Sequence, residues 1–246
     1  MFEFGRDLRK LFEKARESDD LGWLELIGAD LIEAEARRET TDAGRVSCAR
    51  PFEAWMRASL LWRDHARRTG AAASLAKAAS CASDAARHAR TTDQTAAAGL
   101  EAAEIHLARF DLFGGPERLI AATSDVQALS PDRAGTRAWA VALGARLAAR
   151  RMDIDPPQDT TAALVLFDAA RREQRHLPAT VADELTLDWA GLALRVGIEQ
   201  RDIVLLDRVG RDLRTLVEAS TPEQRPITRA RALTLAAVGL KALAGL

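Results

Sequence analysis

The feature that most constrains this chain is a helical periodicity in the stretch 51–90, where two apolar stripes stand on either side of Gly70. The first stripe has the three- and four-residue spacing of one helix face and consists of Phe52, Trp55, Ser59 and Trp62. The second stripe has smaller residues, namely Leu75, Ala79, Ala82 and Ala86. Because glycine readily adopts a positive φ, Gly70 is suited to end the first helix. The stretch therefore predicts two helices joined by a tight turn.

One helix pair of this kind cannot bury both of its faces, so it needs neighbours. Similar pairs are predicted along the chain, with starts about 40–50 residues apart. These starts lie near Pro51, Thr92, Pro131, Thr180 and Pro226. The clearest later stripe is Leu185, Trp189, Leu192 and Val196, and a last helix is predicted to carry the stripe Leu233, Ala236, Leu240 and Leu243. No stretch has the alternating pattern of a strand.

The first pair resembles the tetratricopeptide repeat (TPR). The seven positions of that repeat's pattern are occupied, in order, by Trp55, Ala58, Ser59, Trp62, Ala71, Leu75 and Ala78, of which Trp55, Ala71 and Ala78 match by identity. Trp139 and Trp189 echo the first half of the pattern. The resemblance implies an all-α fold, a right-handed superhelical array of antiparallel helix pairs (a TPR-like α-solenoid). It divides the chain into a capping hairpin (1–50), helix-pair repeats (51–220) and a C-terminal helix (221–246) that acts as a cap, a dimer contact or a docking helix.

The resemblance also implies a groove, lined by the first helix of each pair, that holds a peptide or helix of another protein. Its partner-binding positions fall at Glu53, Met56, Leu60, Arg63, Asp64 and Arg137. Arg146 is a further candidate because it lies seven residues after Trp139, where a core residue is expected. A buried arginine needs an acidic partner. We expect its stem to pack and its head to reach water; the alternative is an arginine that grips a carboxylate of the partner.

Charge and cysteine content narrow the function classes. The 35 basic and 36 acidic residues give a formal net charge of -1, which argues against nucleic acid as the partner. The apolar run at 232–246 falls short of the ~20 residues that span a bilayer. Cys48 and Cys81 are too few for a disulfide framework or a zinc cluster. We therefore expect a cytoplasmic protein without a signal peptide or a membrane span.

The candidate catalytic and metal-binding groups all have simpler explanations. Glu173 and His176 form one half of the Glu-x-x-His motif of di-iron bundles, but a second copy is missing, so we expect a solvated ion pair. On a helix, Glu104 and His106 point in nearly opposite directions, which separates the group Glu101, Glu104 and His106. We expect Asp84 and His88 to form a surface pair and both cysteines to be structural. The sequence predicts no catalytic residue, cofactor or metal.

The sequence therefore predicts a non-catalytic scaffold or adaptor that captures a partner protein or peptide in a helical-repeat groove. One alternative is the substrate-targeting module of a larger enzyme, for example a glycosyltransferase. Another is a helical ligand-binding regulatory domain, which would need a closed apolar pocket. Because the stretch 232–246 ends apolar, we also expect that its helix could pair with a second copy of the chain.

Overall fold

The structure is a computed structural model that describes residues 51–154, 160–220 and 226–245, together with Asp30 and Glu33. All regular structure in this part of the chain is helical, which confirms the all-α fold class for it. The helices are α1 (Pro51–Thr69), α2 (Ala72–His88), α3 (Thr92–Phe113), α4 (Pro116–Gln127), α5 (Ala134–Ile154), α6 (Thr160–Arg172), α7 (Ala179–Gln200), α8 (Ile203–Ala219) and α9 (Pro226–Ala244). A 3₁₀ turn at Gln174–His176 precedes α7.

Local chemistry explains where several helices begin and end. Gly70 follows α1 with φ +70, the left-handed conformation expected of a glycine that ends a helix. At the start of α3, the Gln94 amide donates to Thr91 Oγ1 at 3.1 Å, while Gln94 Oε1 accepts from the Arg90 amide at 2.7 Å. Asp202 caps α8 by accepting from the Leu205 amide at 3.0 Å. The observed starts of α1, α3, α5, α7 and α9 lie within three residues of the predicted ones.

The chain forms two compact units, residues 1–125 and 126–246. In the first unit α1 packs on α2 and α3, and α2 packs on α3. Its core contains the large, fully buried side chains of Trp62, Leu75, Leu100, Ile105 and Leu107. Trp62 also donates its ring N–H to Glu33 Oε2 at 2.8 Å, so a buried polar group is satisfied.

The second unit is organised around α7, which packs on α5, α6, α8 and α9. Helix α7 has buried residues on nearly every side, as expected of a helix that other helices surround. Its predicted stripe is confirmed, since Leu185, Trp189, Leu192 and Val196 are all at most 4% exposed. Consecutive helices pack on one another throughout this unit, which is compatible with a helical repeat.

One predicted stripe differs from the structure, and another is only partly covered. On α2 the buried face is turned by about one residue, because Ala78, Cys81 and Ala85 are buried and Ala86 is exposed. On α9 the predicted stripe stays partly open within the described chain: Leu233 is 49% and Leu240 68% exposed. Helical periodicity marks an apolar face but does not supply the neighbour that covers it.

The three-part division of the chain stays a prediction. The predicted cap at 1–50 lies outside the described residues, except for Asp30 and Glu33, which are helical. Cys48 lies outside them too. The boundary between the two units, at 125/126, falls inside the range predicted as continuous repeats.

Candidate functional site

A group of buried charges joins α1 to α3 in the first unit. Arg63 is 3% exposed, and its guanidinium lies 2.8 Å from Glu104 Oε2 and 3.1 Å from Glu101 Oε2. Arg67, one helical turn later, reaches the same Glu104 oxygen at 3.2 Å. Two carboxylates on one face of α3 therefore meet two guanidinium groups on one face of α1. Each carboxylate lies within salt-bridge distance of a guanidinium, which is how a protein interior accommodates ionisable groups.

Glu101 is completely buried, as Glu104 is, and a serine hydroxyl lies beside it. Burial raises the pKa of Glu101 to about 7, even though the Arg63 guanidinium lowers it, and the Glu104 carboxylate adds to the rise. The Ser59 hydroxyl lies 3.0 Å from Glu101 Oε1 and 3.0 Å from the Ala78 carbonyl oxygen. One hydroxyl proton cannot serve two acceptors. In its ionised form Glu101 accepts from Ser59, whereas in its protonated form it donates to Ser59 and leaves the Ser59 proton for the Ala78 carbonyl.

A second charge cluster joins α5, α7 and α9 in the second unit. Arg146 is 0% exposed and donates from Nε to Asp188 Oδ2 at 2.7 Å, and Arg150 donates to Asp188 Oδ1 at 2.8 Å. From α9, Arg231 donates to both oxygens of Glu184, at 2.8 and 3.0 Å. Glu184 also lies 3.7 Å from Arg146 Nη2. Asp188 and Glu184, one turn apart on α7, thus bind guanidinium groups from the helices on both sides.

Asp188 remains an anion in this cluster. Burial alone would raise the pKa of its carboxyl, but the guanidinium groups of Arg150 and Arg146 outweigh burial and hold the pKa well below its usual range. Asp188 therefore acts as a permanent negative charge that positions two arginines.

The two clusters share a sequence signal. Both contain Arg-x-x-Ala-Arg-Arg, once starting at Arg63 and once, 83 residues later, at Arg146. In each unit the first and fifth residues of this motif bind carboxylates 37 to 42 residues further along the chain. A search for charged residues that recur at one period would have found these pairs. Periodicity of apolar residues alone did not.

The structure places the predicted partner-binding residues in different environments. Glu53 and Arg137 are exposed, whereas Leu60 and Asp64 are half-buried. The other three predicted residues are buried: Met56, Arg63 and Arg146. Partner binding at the first four stays a prediction. Partner binding through the buried three would require their packing to open.

Arg146 corrects an expectation. We predicted that its head would reach water, or else grip a carboxylate of a partner. Its acidic partners belong to its own chain, and the whole side chain is buried. The premise that a buried arginine needs a carboxylate was right, and the location of that carboxylate could not be read from neighbouring residues.

A cavity of about 510 Å³ lies beside the second cluster, between α5, α7 and α9. Its apolar wall includes Leu187, Leu192 and Leu235. Its charged lining consists of Arg150, Asp188, Arg195 and Arg231. The combination of an apolar wall with a few converging charged groups is typical of ligand sites.

A smaller, apolar channel of about 190 Å³ lies between α8 and α9. Its floor includes Val209 and Leu213, which are fully buried, and its walls include the exposed Leu233 and Leu240. Arg214 is the one charged residue that lines it within the described part of the chain. This channel contains the apolar stripe predicted on α9.

The remaining candidates behave as surface or core groups. His176 Nε2 lies 3.8 Å from Glu173 Oε2, and the contact is part-exposed, as expected of a solvated pair. Asp84 pairs with Arg87 rather than with the predicted His88. Cys81 is buried. Within the described residues, no group of three His, Cys, Asp or Glu side chains is arranged to hold a metal ion.

No helix in the described part of the chain is both long and apolar enough to cross a membrane. Comparisons with protein-family models, with curated proteins and with solved structures find no match to this chain.

Proposed function

We propose that this chain is a non-catalytic interaction module that binds an amphipathic helix of a partner protein in the channel between α8 and α9. In this proposal the helix pairs form a TPR-like α-solenoid, a right-handed superhelical array of antiparallel pairs. The observation that carries the proposal is the exposed stripe on α9, an apolar helix face with a preformed channel beside it.

The stripe differs from scattered surface leucines. Leu233 and Leu240 are seven residues apart, so they lie on one face of α9 at the spacing by which a docked helix is recognised. Single exposed apolar residues are normal on a protein surface, but a contiguous apolar strip beside a channel is typical of an interaction site.

Glycine opens the channel on the α8 side. A Cβ added at Gly210 would meet no atom within 4 Å, so the missing side chain leaves real space between the two helices. A channel of about 190 Å³ is larger than the ~150 Å³ apolar cavities that admit benzene. It can therefore take apolar anchor side chains of a docked helix.

The charge of the channel indicates which helix fits. Arg214 lines it and is exposed, and no ion pair is recorded for it within the described residues. Helix α9 contains arginines and a lysine but no aspartate or glutamate. The complementary occupant is a helix with apolar residues at i, i+3 or i+4 and i+7, and an acidic residue beside that stripe.

Selection from a displayed library of random peptides tests the proposal, with the wild-type chain as target. We expect the enriched peptides to share this apolar and acidic pattern. Gly210→Leu places a side chain in the channel, and we expect the selected peptides to bind it about tenfold to a hundredfold more weakly. That range corresponds to the exclusion of one leucine-sized anchor.

Charge reversal provides the matched control. Arg214→Glu should weaken the binding of the acidic peptides and strengthen the binding of peptide variants in which lysine replaces the acidic residue. Peptides that bind wild type and Gly210→Leu equally would contradict the proposal. Sedimentation of the chain alone tests a different occupant: a dimer that Gly210→Leu dissociates would identify a second copy of the chain and overturn the partner-helix proposal.

The same assay tests the groove implied by the repeat resemblance. Glu53 and Arg137 are the exposed members of that set, so Glu53→Ala and Arg137→Ala alter the surface without opening the core. If these variants, and not Gly210→Leu, abolish peptide binding, the first helices form the binding groove instead.

A further inference from the structure

We propose that the cavity between α5, α7 and α9 binds a small organic anion that has a carboxylate or phosphate head and an apolar body. This inference concerns a different place from the partner-helix channel, because α5 and α7 line the cavity whereas α8 lines the channel. Helix α9 contributes to both, and Leu235 is the residue that they share.

The lining has an excess of positive charge. Arg150, Arg195 and Arg231 face it, against the single carboxylate of Asp188. An anion is therefore the ligand class that the cavity complements.

Arg231 is held in a position to bind an anion. Its Nη1 donates to both oxygens of Glu184, which fixes the plane of the guanidinium. Within the described residues the one carboxylate recorded near Nη2 is Asp188, whose Oδ1 lies 3.8 Å away, beyond hydrogen-bond distance. A guanidinium fork with one side anchored is suited to present its other side to a carboxylate or phosphate.

The rest of the cavity suits the apolar body of the ligand. Its volume of about 510 Å³ lies within the ~300–1,000 Å³ of small-molecule sites. Leu187, Leu192 and Leu235 provide apolar surface. Gly191, on the same side of α7, widens the space, because a Cβ added there would meet no atom within 4 Å. A ligand that consisted of a charged head group alone would leave this apolar wall in contact with water.

Calorimetric titration with five probes tests the inference. Octanoate and phenyl phosphate have both a charged head and an apolar body, acetate and inorganic phosphate have the head alone, and octan-1-ol has the body alone. We expect at least one of the first two probes to bind, and each of the other three to bind about tenfold more weakly or not at all. Comparison of octanoate with phenyl phosphate distinguishes a carboxylate ligand from a phosphate ligand.

Two variants locate the binding. Gly191→Leu places a side chain in the cavity, so we expect the affinity for the anionic probes to fall by at least about tenfold. Because leucine has a higher helix propensity than glycine, we expect the fold to persist. Arg195→Gln removes one lining charge while it keeps Asp188 and Glu184 in their pairs. It should lower the affinity for the anionic probes several-fold and leave the affinity for octan-1-ol unchanged.

Gly210→Leu is the matched control, because it makes the same substitution in the channel between α8 and α9. It should leave anion binding intact. Equal binding of octanoate and octan-1-ol, the absence of binding by both charged-and-apolar probes, or an unchanged affinity in Gly191→Leu would each overturn the inference. Because Gly210→Leu tests the partner channel and Gly191→Leu tests the cavity, the two proposals succeed or fail independently.

Discussion

Replacement of Glu101 by glutamine should remove a large part of the pH dependence of stability. Burial raises the pKa of Glu101 from an ordinary value of 4.5 to about 7. At 1.36 kcal/mol per unit, this rise corresponds to about 3 kcal/mol. The protonated carboxyl is the form that the folded state prefers, and its proton fits the chain of donors from Glu101 through Ser59 to the Ala78 carbonyl.

The sign follows from linkage. A raised folded-state pKa favours folding fully below the unfolded pKa of 4.5, and this contribution is lost as the pH rises through about 7. Glu101 should therefore lower the free energy of unfolding by about 2 to 3 kcal/mol between about pH 5 and about pH 8. His106 acts in the opposite direction: burial lowers its pKa, so its contribution is lost as the pH falls through 6.5. Because wild type and Glu101→Gln both contain His106, its effect cancels when the pH dependence of the two is compared.

The assay is urea unfolding, followed by tryptophan fluorescence and circular dichroism at about pH 5 and about pH 8. Glu101→Gln is neutral at both values, so its free energy of unfolding should change between them by about 2 to 3 kcal/mol less than that of wild type. Glu117→Gln, at an exposed glutamate of α4, is the control and should follow wild type. If wild type and Glu101→Gln show the same pH dependence, Glu101 does not hold a proton in the folded state and the reasoning is refuted.

Three further predictions concern stability and are checked by the same urea unfolding. Asp188→Asn removes the nearest carboxylate from the fully buried guanidinium of Arg146, so we expect the free energy of unfolding to fall by about 3–5 kcal/mol. An added Arg146→Met should restore part of this loss. A loss below about 1 kcal/mol would contradict the pairing. A Cβ added at Gly144 of α5 would meet no atom within 4 Å, so Gly144→Ala should raise the free energy of unfolding by about 0.5–1 kcal/mol because alanine has the higher helix propensity. A decrease would show that the space is filled. Glu33→Ala leaves the ring N–H of Trp62 without its acceptor and should lower the free energy of unfolding by about 1–3 kcal/mol. Glu33→Gln keeps an oxygen that can accept this bond, so it should retain most of the stability. Equal losses in the two variants would assign the effect to another contact of Glu33.

Apolar periodicity predicted the parts of the fold in which one helix face is buried. It identified the α7 stripe, and it located the start of α3 at Thr92, because capping and helix spacing are chemistry of residues three or four apart. It predicted the α9 stripe equally well as an apolar face. It could not predict that Leu240 would stay 68% exposed, since exposure depends on whether another helix lies against that face.

The buried charges were the least predictable part of the candidate site. Reasoning along the helix separated Glu104 from His106 correctly, but it did not bring Glu104 to Arg63, which lies 41 residues earlier. Arg146 was recognised as out of place on an apolar stripe, yet its partner Asp188 lies 42 residues further along the chain. Pairs at that separation follow from the packing of two helices, and the repeated Arg-x-x-Ala-Arg-Arg motif was their one trace in the sequence.

The sequence by itself determined that the described chain is helical, where most of its helices begin, and which face of each helix is apolar. These properties depend on hydrogen bonds and side-chain spacings within four or five residues. Only the tertiary structure decided which charges meet, which apolar face stays open, and where a cavity lined with arginines forms. These properties depend on residues about 40 positions apart, which contact one another only after the helices have packed.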